Sequence, residues 1–312
     1  MEEFMNYAIT TLDQIIIMLV IILIAMLLYK IKILDVHSNK VLSDLLLLVI
    51  NPLVLFNSFQ MEMNPKLVRG LFYSLLLAFI SITLSILISL FLIPKSEKGN
   101  YLIERFACVY SNCGFFGIPL VSALFGNEGV FYLTAYMTVF NIFVWTHGIM
   151  MMTQKKSLGY MLKAFLSPAT ICIFLGLICF FARIHLPNIV MAPLISLASM
   201  NTPLAMVVAG VSLAQTDMST ILKKPRIYWV SVIKLLFVPI ISILVFRFFY
   251  LPDIIVVTSV VEAACPTAAI TIMFAIRYEK DYKYASELFA VSTVFSIVTI
   301  PTVIYLTQIL CR

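Results

Sequence analysis

Ser111-Asn112-Cys113-Gly114-Phe115-Phe116-Gly117-Ile118-Pro119-Leu120 sits in the middle of an apolar run over 103–126. Glycines let backbones approach closely, and Gly114 and Gly117 supply two. Pro119 lacks a backbone donor and opens the hydrogen-bond ladder. Asn112 carries an amide with two donors and an acceptor. Together they predict a short non-helical stretch with exposed N–H groups. A half-helix N-terminus following such a stretch favours an anion. The same residues also read as a tightly packed kink that uses small side chains for helix contact. A second break in a later apolar run, at Pro266, favours the site.

The setting is a membrane. Of 312 residues 62% are hydrophobic and only 12% charged, against about a quarter charged in soluble domains. Mean hydropathy is +1.06. The bilayer must be the solvent for most of the chain. Met1-Glu2-Glu3 is acidic and no small-residue cleavage site follows the first apolar run, so that run reads as a retained helix rather than a signal peptide. The six cysteines lie in or beside apolar runs without a C-x-x-C pair, which points to packing and not to zinc or disulfides. Net charge is +6, but the cations sit in short loops between apolar runs, so nucleic acid is not implied.

A crossing takes about 20 apolar residues. Charged breaks delimit ten spans: 12–30, 41–59, 67–93, 103–126, 130–152, 161–183, 189–214, 227–249, 254–276 and 285–310. Alternate loops hold three Lys or Arg each: Lys30, Lys32, Lys40; Lys95, Lys98, Arg105; Lys155, Lys156, Lys163; Lys223, Lys224, Arg226; Arg277, Lys280, Lys283. The opposite side holds only Lys66, Arg69, Arg183, Arg247 and Arg312. Basic loops stay cytoplasmic, so both termini are expected outside the cytoplasm in a multi-pass inner-membrane protein.

Breakers recur in pairs. Cutting the chain after the fifth span sets Pro52 against Pro203 and Pro119 against Pro266. AYMTVFNIF (135–143) then aligns with AVSTVFSIV (290–298), sharing Ala, Thr, Val, Phe and Ile at equal spacing. Five is odd, so the second half would enter the membrane upside down. Inverted repeats with paired broken helices mark secondary transporters whose substrate binds near the midplane.

Two charges fall inside spans. Glu262 lies one helical turn before Pro266; a carboxylate there must be paired, wetted or protonated. It reads either as a proton-coupling group or as a structural carboxylate. Lys234 lies eight residues past Arg226. It either snorkels to the cytoplasmic face or pairs with Glu262 or a substrate anion. Asp44 and Asp217 read as solvated or capping groups, and His147 as a packing histidine rather than a proton relay. Of Tyr136, Trp145, Tyr228 and Trp229, those at span ends read as interfacial anchors.

No HExxH, GxSxG or nucleotide-binding loop occurs, and His37, His147 and His185 lie apart. An enzyme and a primary pump are therefore disfavoured, and no cofactor is implied. A channel or ligand sensor using the same broken helices is the alternative to a carrier.

The run from Ser111 through Gly117-Ile118-Pro119-Leu120 to Leu124-Phe125-Gly126, with Asn141 in the next span, resembles the auxin efflux carrier family. That family includes plant PIN-FORMED proteins and bacterial malate and malonate permeases. Asn51-Pro52-Leu53, Ala264-Cys265-Pro266 with Phe274-Ala275 and Tyr278, and the stretch from Ser286 to Pro301 extend the likeness over nearly the whole chain. The short loop between spans 5 and 6 departs from many plant members and points to a bacterial-type permease. The resemblance implies ten helices in a 5+5 inverted repeat with crossed helices 4 and 9, as in bile-acid symporters and sodium–proton antiporters. It implies scaffold parts at 1–60 and 155–218 that dimerise, and transport parts at 61–154 and 219–312 that move as an elevator. It implies small carboxylates as substrates, with proton or sodium coupling. Asn112 would bind the carboxylate, aided by Gly114, Gly117, Pro119, Pro266 and Thr267. Asn51, Asn141 and Asn201 carry over as further binding residues.

Overall fold

The computed structural model describes residues 2–96, 100–154, 167–216, 221 and 223–311. They form α1 (Glu2–Lys30), α2 (Val36–Ser58), α3 (Pro65–Leu92), α4 (Tyr101–Val109), α5 (Cys113–Thr153) and α6 (Pro168–Ala182). Then follow α7 (Asn188–Ala214), α8 (Pro225–Phe249), α9 (Asp253–Ala264), α10 (Ile270–Arg277) and α11 (Tyr282–Leu310). No named strand occurs among the described residues; the one pairing of extended backbone joins Ser111 to Thr267. Lys98, the segment 155–166 with its three lysines, Asp217 and Arg312 lie outside the described residues.

Seven helices, α1, α2, α3, α5, α7, α8 and α11, are long and apolar enough to cross a membrane. Ten spans are expected from the sequence, and the difference has local causes. α5 runs through Gly126 (φ 59°, ψ −145°), a backbone region that is almost glycine's alone. The chain folds back there: Tyr110 Oη donates to the Phe143 carbonyl at 2.9 Å, and Gln154 Nε2 donates to Tyr101 Oη at 3.0 Å. The start of α4 thus lies beside the end of α5. α9 and α10 are two short helices separated by an extended gap. α6 is apolar but has only 15 residues, and the residues expected to begin that span, 161–166, are among those not described.

Prolines shape the helices in a way the sequence does not announce. Wide π turns occupy 46–50, 113–117 and 233–237, and each is followed two residues later by a proline: Pro52, Pro119 and Pro239. A proline cannot donate to the carbonyl four residues back and its ring crowds it. The wider turn realigns the ladder and keeps the helix continuous. Pro52 therefore does not break α2, contrary to expectation. Pro203 follows a bend at Ser199 and Met200, inside the first turn of the segment Asn201–Ala214.

The interior mixes large apolar side chains such as Phe59, Phe106, Phe131 and Phe180 with small and polar ones, and a further set of apolar side chains is turned outward. On α3, Ser74, Ser81, Ser85 and Ser89 are buried while Phe72, Phe79 and Phe91 are exposed. Ser85 and Ser89 donate back to the carbonyls of Ser81 and Ile86, whereas the Ser74 hydroxyl is buried without a partner. Small faces let backbones meet: a Cβ on Gly210 would stand 2.5 Å from the Ile22 carbonyl, so α1 and α7 touch along their backbones. Ile16, Val20, Leu23 and Leu27 on the far side of α1 are exposed, as a lipid-facing surface requires.

Candidate crossover site

α4 ends at Val109, and Tyr110 is extended (φ −98°, ψ 113°). α9 ends at Ala264 for a plain steric reason. The residue before a proline is driven out of the helical region, and Cys265 takes φ −55°, ψ 147° ahead of Pro266. The two interruptions meet antiparallel. Asn112 N–H donates to the Pro266 carbonyl at 2.8 Å, and Ala268 N–H donates to the Tyr110 carbonyl at 2.9 Å. Thr267 N–H donates to Ser292 Oγ at 3.1 Å, and Thr267 Oγ1 donates to the Ala107 carbonyl at 3.3 Å. Backbone groups freed by breaking two membrane helices are thus satisfied mutually, which hydrocarbon surroundings demand. Pro266 stands inside its break, whereas Pro119 lies seven residues past Asn112, already within α5.

Charged groups crowd this crossing. Lys234, in the π turn of α8, is 0% exposed; it donates to Ser111 Oγ and, at 3.1 Å, to the Ala263 carbonyl. Snorkelling is ruled out, because the ammonium is fully buried and bonded to Ser111 and Ala263. Glu262 is also 0% exposed. Neither of its oxygens has a hydrogen-bond partner beyond the weakly donating Cys113 thiol beside it. It forms no ion pair with Lys234. A Cβ on Gly117 would collide with its carboxylate.

Amides gather around the same place. Asn51, on α2, brings Nδ2 to 2.9 Å from where a Cβ on Gly114 would stand. Asn51 Oδ1, Asn112 Nδ2 and both side-chain atoms of Asn201 are buried without a partner. The second part of α7, which Asn201 begins, packs on the π turn 113–117. Asn141 is half-buried on the returning arm of α5 with Nδ2 unpartnered, and no hydrogen bond ties it to the crossing. Buried polar atoms are rarely left unpaired. Thr258, Thr271 and Thr293 add unpartnered hydroxyls. Among the described residues no group of His, Cys, Asp or Glu has the spacing of a metal site. A groove of about 320 Å³ between α8 and α11, lined by Leu235, Val294, Phe295 and Val298, is apolar and opens outward, so it offers an anion nothing.

One family model, described as membrane transport protein, matches residues 10–161 and 157–304. The chain belongs to the membrane transport protein family. That family includes auxin-efflux-carrier members, so the resemblance carried by 111–126 and 264–278 holds. It is a family of transporters and not of enzymes. The chain is accordingly a multi-pass membrane transporter. No curated protein matches it.

Three features were not expected from the sequence: the Ser292 contact, the buried Glu104 cluster and the Lys224–Glu287 pair. Ser292 holds the Thr267 amide; it stands in the repeated string 290–298, where its serine was the only clue. His147 Nδ1 lies 2.9 Å from Tyr110 Oη, which fits a packing role. Glu104 is buried at the head of α4, where Arg226 Nε donates to it at 2.5 Å and Tyr284 Oη at 2.9 Å. Lys224 and Glu287 form a second ion pair at 2.7 Å. Glu104 and Glu287 each lie just inside a span edge, at 103 and 285, which was the available signal.

Proposed function

We propose that this transporter is a secondary carrier of small organic anions, with the carboxylate received at the crossing of 110–112 and 265–269. The observation that carries the reading is the set of unpartnered amides, Asn51, Asn112 and Asn201, brought to a backbone crossing next to a buried ammonium. Amide N–H groups and one cation suit a carboxylate such as malate, malonate or an indole-type acid. Ten crossings follow if α4 with the first arm of α5, the second arm of α5, and α9 with α10 each count as one alongside α6. In that arrangement α3–α5 and α8–α11 are the moving part (61–154 and 219–312). α1, α2, α6 and α7 are the scaffold (1–60 and 155–218), which dimerises. The mechanism is an elevator-type alternation in the inner membrane, with both termini outside the cytoplasm.

Counterflow of labelled malate, malonate and indole acetate in proteoliposomes tests this, with Asn112→Ala as control. Saturable exchange of one acid, lost in the variant, is the expected result. A folded, inserted protein that exchanges none of them removes the anion assignment. Labelled substrate that is bound but never moved identifies a sensor, and uncoupled flux identifies a channel.

A further inference from the structure

Among the described residues Lys234 is the only fully buried cation. Its ammonium is bound by oxygen: the Ser111 hydroxyl in one broken helix and the Ala263 carbonyl at 3.1 Å in the other. Ala263 lies in the last turn of α9, where carbonyls lack intrahelical partners and the helix dipole is negative. The next residue back is Glu262, buried without a strong partner. A hydroxyl, a half-helix C-terminal carbonyl and a nearby carboxylate make a hard oxygen set. In broken-helix carriers such unwound carbonyls and C-terminal helix ends coordinate the coupling sodium ion. Here a side chain from α8 already covers them. It enters from the π turn at 233–237.

We infer that Lys234 is a built-in cation: it occupies the oxygen ligands that would otherwise hold a sodium ion, so that the crossing is completed without sodium. The inference rests on reading the crossing as the transport site. Its consequence is nevertheless structural and does not depend on which substrate moves. With the ammonium in place, added sodium has no oxygen cage to enter. With the ammonium removed, the cage is left with excess negative potential and becomes a sodium site.

The test is thermal unfolding of the purified protein in sodium chloride against choline chloride at equal ionic strength. For the wild type the midpoint is expected to be the same in both salts. Lys234→Ala is expected to melt lower in choline and to recover in sodium, saturably, because a ligand that binds only the folded state raises stability with the logarithm of its concentration. Lys234→Met keeps the stem's packing and removes only the charge; it is read the same way if the alanine variant does not fold. A saturable sodium-specific rise in the wild type overturns the inference. So do Lys234 variants that are destabilised but indifferent to sodium. Because no transport is measured, failure here leaves the counterflow result standing, and the reverse also holds.

Discussion

The carboxylate of Glu262 occupies the space that a side chain on Gly117 would need. The two residues lie on different broken helices, so the crossing is closed by a glycine on one side and an acid on the other. Gly117→Ala should destabilise the protein by about 1–3 kcal/mol, the usual cost of overfilling a packed site. Glu262→Ala should make room for it. The double variant should then be more stable than the two single losses predict, by about 0.5–3 kcal/mol. Thermal unfolding of the four proteins measures the coupling; strict additivity would show that the two residues do not meet.

If Glu262 carries the coupled proton, Glu262→Gln should still exchange substrate but lose the pH dependence of transport. Counterflow across a pH series decides it. Unchanged pH dependence makes Glu262 a structural group.

Asn201 is buried with both side-chain polar atoms unpartnered. A buried amide without partners destabilises by about 1–3 kcal/mol, which fits a group kept for a ligand. Asn201→Leu should therefore leave the melting midpoint unchanged or raised while counterflow falls at least several-fold. Full exchange in this variant would place Asn201 outside the binding site.

Among the described residues Arg226 is the only countercharge bonded to the buried Glu104. Removing one partner of a buried pair strands the other, at up to about 3–5 kcal/mol, and Arg226's partial exposure puts the loss at the low end. Glu104→Gln keeps an acceptor for Tyr284 and strands no charge, so it should cost less. Melting curves of the two variants should rank Arg226→Ala as the less stable; the opposite order would refute the pairing argument.

Asp35 caps α2, accepting from Ser38 N–H at 2.7 Å and from Ser38 Oγ at 2.6 Å. These bonds, the hydroxyl's first, hold its carboxyl below its ordinary value. A depressed carboxyl contributes stability above that value and loses it as pH falls through the lowered one. The Ser38 amide resonance should therefore titrate at a lower pH than an unstructured aspartate does, and Asp35→Asn should abolish the transition. A midpoint at or above the ordinary value would contradict the cap.

Much of this protein is legible before folding. Apolar runs of about 20 residues and their scarcity of charge demand a bilayer, because hydrophobicity adds up locally along the chain. The break at 266 follows from the proline itself, whereas the other falls at 110–112, just ahead of Gly114, Gly117 and Pro119, which stand in helix. What tertiary structure alone decided is which way side chains point and where a break falls. A π turn inserts one extra residue and rotates every later side chain by about 100° of helical phase. Lys234 is the second residue of such a turn, and its full burial against Ser111 and Ala263 makes it the ammonium at the crossing rather than a snorkelling side chain. A wide turn also lets α2 carry Pro52 without a break. The bridge between Ser111 and Thr267 joins residues 156 positions apart, and no local rule of sequence reaches that far.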